Sequence, residues 1–411
     1  MLGQNDKRVL RELAVQVRDI ARFPEQQMKR DMWRKHTALK YGIPPLFVSP
    51  EGSWVELIPD TSLQCEDTFA RKVEMELRRR IYRHENLRDD TPIENHYDIL
   101  VSCIPVNAGW GLPVLRENAT GRGSWRYKPV IEKPSDWSKL KKPSLDVEER
   151  DAREKASILQ DAVGDLLQIH VTGIKIFDFH IAHMYCDYRG LENLYMDLID
   201  NVNMVKDVFA FFTEGLEGLL RQAREMNLIW SNNDYTYHYT GGLGYCDDLP
   251  PFVESAVPLD SVWGAAEAQE YASVSPEMFA ETVLPFERRL LEPFGLNGYG
   301  CCDDLTEKLD AVLMIRHLRR VAACPWANLS KMAQRLKKDY ILTWKPHPAL
   351  LAGENFVDEQ IERYMTESLT ACKEGYPEII LRDTHTCRGE LSRFTRFVTL
   401  TRRVIAKVYD L

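Results

Sequence analysis

From about residue 147 onward, short apolar runs alternate with helical patterns, and this alternation restricts the fold more than any other feature of the chain. The candidate strands are DLLQIHV (165–171), NLIWSNN (227–233), GLNGYG (295–300), RRVAAC (319–324), DYILTW (339–344) and EIILRD (378–383). Helical patterns at 192–226, 276–291, 303–315, 326–336, 358–373 and 391–408 separate them. Ser275 before Pro276 gives an N-cap followed by proline at the first helical position. Such alternation argues for a parallel sheet with helical crossovers. Two earlier apolar runs, PPLFV (44–48) and YDILVSCI (97–104), bring the strands to the number of a (β/α)8 barrel. An open doubly wound sheet is the alternative. No Gly-rich turn follows a first strand, so its dinucleotide-binding version loses support. The expected fold is an α/β TIM barrel over residues 131–411. Residues 1–130 are expected to form a helical and loop extension that covers the barrel and holds the two earliest candidate strands.

Within the extension, Leu10, Leu13, Val17 and Ile20 mark a helix, and a second helical run spans 68–85. Its Arg78, Arg79 and Arg80 read as a solvated face; an anion-binding role would need them turned inward. Loops around Gly109 and Gly111, and around Gly121 and Gly123, are long enough to cover a site. The stretch 133–146, rich in Pro and Lys, reads as a linker.

The chain carries 53 basic and 62 acidic residues, a net charge of −9. That balance disfavours nucleic acid and anionic membranes as partners. No apolar run approaches the roughly 20 residues of a membrane span, and the N-terminal segment lacks a secretory core. Nine cysteines, an odd number, argue for reduced thiols and a cytoplasmic setting.

In an α/β barrel the chemistry gathers where strands end and loops begin. Five of the ten histidines fall just beyond candidate strand ends: His180, His183, His238, His347 and His385. Cys301, Cys302 and Cys387 fall there too. Thiolates with imidazole are the donors zinc prefers, so Cys301, Cys302, His347, His385 and Cys387 are candidate ligands; buried core cysteines are the plain alternative. Asp234 is a candidate general base or substrate anchor, with a loop cap as its alternative. His180 and His238 are further catalytic candidates. Tyr235, His183, Trp110 and Trp125 are candidate substrate contacts, the tryptophans as an aromatic cover over the barrel mouth or as glue along its side.

Three stretches resemble the uroporphyrinogen decarboxylase superfamily. SVSPEMFAETVLPFERRLLEPFGLNGYGCCDDL (273–305) is similar to a Ser-Pro-Glu-Met-like helix start followed by a strand. SNNDYTYHYTGG (231–242) is similar to an Asp-Asp-Trp-Gly-type segment, with Asp234 at the second acidic position. GLENLYMDLIDNVNMVKDVF (190–209) is similar to a Gly-Leu-Glu-Asn helix pair. The resemblance implies an α/β barrel. True decarboxylases of the superfamily carry an N-terminal Arg-Gln-Ala-Gly-Arg motif, which this chain lacks. The branch of methylcobamide:thiol methyltransferases and corrinoid-linked demethylases holds zinc through a His-x-Cys and a last-strand cysteine. Cys387 matches the last cysteine and Cys301 the first, but Tyr299-Gly300-Cys301-Cys302 lacks the histidine, which Cys302, His385 or His347 would have to replace. The resemblance thus implies a zinc-dependent methyltransferase. It would move a methyl group between a small donor or thiol and a corrinoid carried by a separate protein, with a homodimer as a candidate assembly. A cofactor-free decarboxylase or lyase using Asp234 and inward-facing arginines, or a non-catalytic binding barrel, stands as the alternative.

Overall fold

The strands from 263 to 381 are buried along nearly their whole length, the signature of a parallel sheet covered on both faces. The computed structural model describes residues 1–105, 109–118 and 125–411. Its strands are β1 (Leu46–Val48), β2 (His96–Leu100), β3 (Ser102–Pro105), β4 (Arg116–Asn118), β5 (Trp125–Tyr127), β6 (Leu145–Glu148), β7 (Gln168–Thr172), β8 (Asp178–Phe179), β9 (Trp263–Ala266), β10 (Leu296–Tyr299), β11 (Leu318–Ala323), β12 (Ile341–Trp344) and β13 (Tyr376–Leu381). Seven of them form one parallel sheet in the order β1-β13-β12-β11-β10-β9-β8. Strands β2 and β7 form a separate parallel pair. An isolated parallel bridge, Ile174 to Ile229, continues from the end of β7. Two small antiparallel pairs, β3–β6 and β4–β5, lie outside the main sheet. Among the described residues no helix is long and apolar enough to cross a membrane.

The α/β class and the parallel sheet agree with the sequence pattern; its strand list needs correction at 227–233, at β8 and β9, and at β6, which begins in the stretch read as a linker. Residues 227–233 make only isolated bridges, because the Asn232 side chain replaces the ladder. Its Nδ2 donates to the Lys175 and Trp263 carbonyls at 3.0 Å each, and its Oδ1 accepts from the Trp263 N–H at 2.9 Å. Strands β8 and β9 went unread, since a two-residue strand and a Trp-Gly-Ala-Ala run carry little apolar signal. The helical pattern at 276–291 divides into Pro276–Thr282 and Leu284–Leu291, where Pro285 lacks the N–H that would continue the first helix.

The sheet interior is locked by charge. Arg320 of β11 and Glu378 of β13 are fully buried, with Nε 3.2 Å from Oε1. Thr343 of β12, between them, donates to the same Oε1 at 2.6 Å. Arg320 also donates to the Leu243 carbonyl at 2.8 Å and lies 4.5 Å over the Trp263 ring. Gly242, at φ +76°, gives the carboxylate room: a Cβ there would stand 2.8 Å from both Glu378 oxygens. Removing one member of a buried pair strands the other in low dielectric. Arg320→Met should therefore lower the unfolding free energy by about 3–5 kcal/mol, measured by urea denaturation. A loss below about 1 kcal/mol, the scale of an exposed pair, would contradict the interior lock.

Candidate functional site

Parallel strands share one polarity, so the residues after their ends collect on one rim. His180 follows β8, Glu267 follows β9, Gly300 and Cys301 follow β10, Lys345 follows β12 and Arg382 follows β13. Strand alternation aims two of these. Thr343 and Lys345 share a face of β12, and Glu378 and Arg382 share a face of β13, so cations sit one and two steps above the interior lock. Gly300, at φ +89°, turns the chain after β10; a Cβ there would meet Leu305 at 2.5 Å. The turn delivers Cys301 to the rim, 1% exposed.

Cys301 is the centre of the site. Its Sγ lies 3.5 Å from that of Cys302. The hydrogen bond with Cys302 holds the Cys301 thiol well below its ordinary range against the opposing effect of burial, and the charges of Lys345 and Arg382 add to it. Cys302, facing that thiolate, is raised and keeps its proton. Lys345 is buried, and its ammonium has no nitrogen or oxygen hydrogen-bond partner among the described residues, which leaves it to the Cys301 sulfur. Burial alone would lower its pKa, yet Cys301 and Tyr237 raise it on balance. Arg382 stacks its guanidinium 5.2 Å from the Tyr239 ring centre and 5.8 Å from that of Tyr237. Its Nε is 3.4 Å from Glu51 and 3.5 Å from Asp383.

A proton-handling group borders the thiolate. His180 Nδ1 is 2.8 Å from Glu267 Oε1, and the His180 ring meets Tyr239 edge-on at 4.4 Å. Burial pushes Glu267 up to about 7, against the pull of His180. Burial works to lower His180, but Glu267, Asp178 and Cys301 outweigh it and leave the imidazole raised. Asp178 is pushed up to about 6 by burial. The His180–Glu267 pair can thus hold or release a proton near neutral pH beside a thiolate that does not need one.

Beside this rim opens a cavity of about 760 Å³. Tyr237, a neighbour of the charged rim, lines it together with Phe47, Trp54 and Tyr235. Arg79, Arg80, Arg83 and Lys175 also line it, so the arginine run does not form a purely solvated face. Most of these charges are matched. Arg80 pairs with Glu76 at 2.9 Å, Arg83 with Asp89, and Lys175 with Asp98 at 2.9 Å and Asp234 at 2.5 Å. Arg79 has no ion pair among the described residues and lies 5.3 Å over Trp54.

The sequence-nominated residues divide into groups. Cys301, Cys302 and His180 come together at the rim. Asp234 lies at the cavity border, tied to Lys175, with Oδ1 accepting from the Thr236 N–H at 2.8 Å. Tyr235 lines the cavity and donates to Asp98 at 3.1 Å. His183 Nδ1 is 2.8 Å from Glu270 and 2.9 Å from the Tyr127 hydroxyl. His238 is buried, packs at 4.9 Å on Trp263, and is held well below its usual range by burial and Arg320. It belongs to the interior, not to the rim. Trp110 packs on the helix Val202–Glu225, 4.9 Å from Phe212 and 5.9 Å from Phe211; Trp54 is the tryptophan that lines the cavity. The side chain of Trp125 lies outside the described residues.

The expected zinc set is not assembled. Cys387 donates its thiol to Glu56 at 3.1 Å, and burial with that carboxylate pushes it up to about 11, so it is a protonated donor. His385 and His347 are exposed, and His347 Nδ1 accepts from the Ala349 N–H at 3.1 Å. Among the described residues, the group that brings three metal-ligating atoms within 4.8 Å is His96, Asp98 and His170, and none of the five nominated ligands belongs to it.

Lys345, Arg382 and Glu267 escaped the sequence reading. Lys345 and Arg382 directly follow apolar strands, a usable signal, but a lysine or arginine there is ordinary until its burial is known. Glu267 follows a strand that was not read. No protein-family profile matches the chain, and no curated protein matches it.

The site predicts unusual sulfur reactivity. Iodoacetamide should alkylate Cys301 at neutral pH faster than a free thiol of pKa about 8.5. Lys345→Met should move the midpoint of the pH–rate profile of that alkylation upward, one pKa unit being a tenfold change in thiolate below the pKa, while Lys345→Arg keeps the midpoint near that of wild type. Peptide mass spectrometry resolves the position. An equal midpoint in wild type and Lys345→Met would contradict the assignment.

Proposed function

We propose that the chain is an enzyme of thiolate chemistry and that its reaction is the transfer of a methyl group from a small donor to sulfur. The observation that carries this reading is the Cys301 sulfur, buried at the carboxyl rim of the sheet 3.5 Å from the Cys302 sulfur, where that hydrogen bond and the charges of Lys345 and Arg382 favour its ionised form. A soft, desolvated thiolate is suited to in-line attack on a methyl carbon. The Cys301–carbon bond forms as the donor's carbon–oxygen or carbon–sulfur bond breaks. The leaving atom departs with the electron pair and takes a proton from the His180–Glu267 pair. Tyr237 and Tyr239 shield the sulfur from water.

The resemblance to the uroporphyrinogen decarboxylase superfamily supports methyl transfer as the reaction class, and a corrinoid-bearing protein as the partner that accepts the methyl group onward. A reduced corrinoid supplies a nucleophile strong enough to take methyl from a thioether. Zinc held by Cys301, Cys302, His347, His385 and Cys387 does not fit the geometry above, and no step is assigned to it. A closed barrel is part of the same proposal. The Ile174–Ile229 bridge supports it on one side of the β2–β7 pair. On the other, Asp90 and Asp89 accept the Leu46 and Val48 N–H groups at 2.8 and 2.9 Å, which leads from the open edge of β1 toward β2.

The near-balanced charge of the cavity favours a compact donor. A tetrapyrrole bearing many carboxylates would need as many unpaired cations, and Arg79 is the lining cation without an ion pair among the described residues. That same arginine favours a second reading, a decarboxylase or lyase acting on a ligand with one carboxylate, although Asp234 is already tied to Lys175.

A panel of methyl ethers and methyl thioethers, incubated with the protein, tests the first reading. Intact-mass analysis should show one added methyl group on Cys301. Cys301→Ser should abolish it, and His180→Asn should slow it at least about a hundredfold, the scale of a general acid. Methyl transfer at the wild-type rate in Cys301→Ser would overturn the reading.

A further inference from the structure

A second constellation lies beside the cavity, on the β2–β7 pair. Asp98 stands opposite His170 in the register, and His96 precedes Asp98 by two, so the three side chains share one face. His170 Nδ1 is 3.2 Å from Asp98 Oδ1, and His96 Nε2 is 3.6 Å from the same oxygen. One ligand atom from each of the three residues lies within 4.8 Å of the others. An ion with bonds of about 2.1 Å in tetrahedral geometry holds its ligand atoms about 3.4 Å apart. The 3.2 and 3.6 Å separations from Asp98 Oδ1 match two edges of such a polyhedron.

The remaining atoms of these residues are arranged as a metal's outer shell would be. Asp98 Oδ2 accepts from Lys175 at 2.9 Å and from the Tyr235 hydroxyl at 3.1 Å, which leaves Oδ1 to the histidines. His170 Nε2 is 3.1 Å from Glu254 Oε1, an ion-pair contact that falls short of hydrogen-bond geometry. A carboxylate near the far nitrogen can orient and strengthen a ligating imidazole. His96 Nε2 is buried without a hydrogen-bond partner among the described residues. The two rings stack at 4.9 Å, and Phe252 lies against both at 6.5 and 6.3 Å. A plain hydrogen-bonded trio would leave two buried nitrogens, Nε2 of His96 and Nε2 of His170, unexplained.

We propose that His96, Asp98 and His170 bind one divalent transition-metal ion of the zinc class. Two imidazoles and one carboxylate select such an ion over magnesium or calcium, which prefer oxygen alone. Asp98 also lines the 760 Å³ cavity, so the open coordination positions are reachable by a bound molecule. There the ion acts as a Lewis acid on an oxygen or sulfur of the ligand. This site is independent of Cys301, and its failure leaves the thiolate reading untouched.

The test uses the full chain, stripped with a chelator and titrated with Zn²⁺ and with Co²⁺ as a spectroscopic probe. Wild type should take up one ion per chain. His96→Ala and His170→Ala, each checked for folding by circular dichroism, should lose it. Glu254→Gln should weaken binding about tenfold, the lower end of outer-shell effects. Cys301→Ser should bind like wild type, with a cobalt spectrum free of thiolate charge transfer. Absence of binding in wild type would overturn the proposal. So would binding that survives both histidine substitutions, or that disappears in Cys301→Ser.

Discussion

The buried pair of Arg320 and Glu378 sets the frame on which the rim depends. It spans β11 and β13 with Thr343 of β12 between them, so three neighbouring strands share one fixed register in the interior. A one-residue slip would turn these polar groups out of the interior and apolar ones in. With the register fixed, alternation alone delivers Lys345 and Arg382 to the same side, just beyond the strand ends. The cations that add to the Cys302 hydrogen bond in favouring the Cys301 thiolate are therefore positioned by the ion pair below them.

Low dielectric gives the rim its chemistry. An isolated charge buried this deeply is costly, and the usual outcome is neutralisation. At Cys301 the reverse holds, because the Cys302 thiol and two cations favour the ionised sulfur. The same surroundings hold Glu267 near neutrality in pKa and keep His180 basic. A charged nucleophile and a proton reservoir thus occupy one rim without quenching each other. The adjoining cavity is treated differently: its cations are mostly matched within the protein, which leaves aromatic surface and Arg79 for a ligand.

Much of the scaffold was legible in the sequence, because long buried strands and amphipathic helices carry strong periodic signals. Strands β10 to β13 and the helix Ser392–Val408 follow those patterns closely. Strands β8 and β9 did not, being too short or too rich in Gly and Ala. Cys301, Cys302 and His180 were legible as residues after strands. Lys345 and Arg382 held equivalent positions but were passed over, since a lysine or arginine after a strand is ordinary until its burial is known. His96 and His170 lay inside strands, 74 residues apart, and only the pairing of β2 with β7 brings them together. The role of Cys387 depended on Glu56, a distant residue that no local pattern connects to it.

The account stands on the charge of one sulfur atom, and an ultraviolet titration of the thiolate measures it directly. Wild-type protein and Cys301→Ser are compared from acid to alkaline pH, and their difference isolates Cys301. The structure predicts that this thiolate absorbance appears at a pH well below that at which an ordinary thiol ionises. A difference that first appears near the ordinary thiol pKa of about 8.5 would contradict the assignment of Cys301 as a resident thiolate.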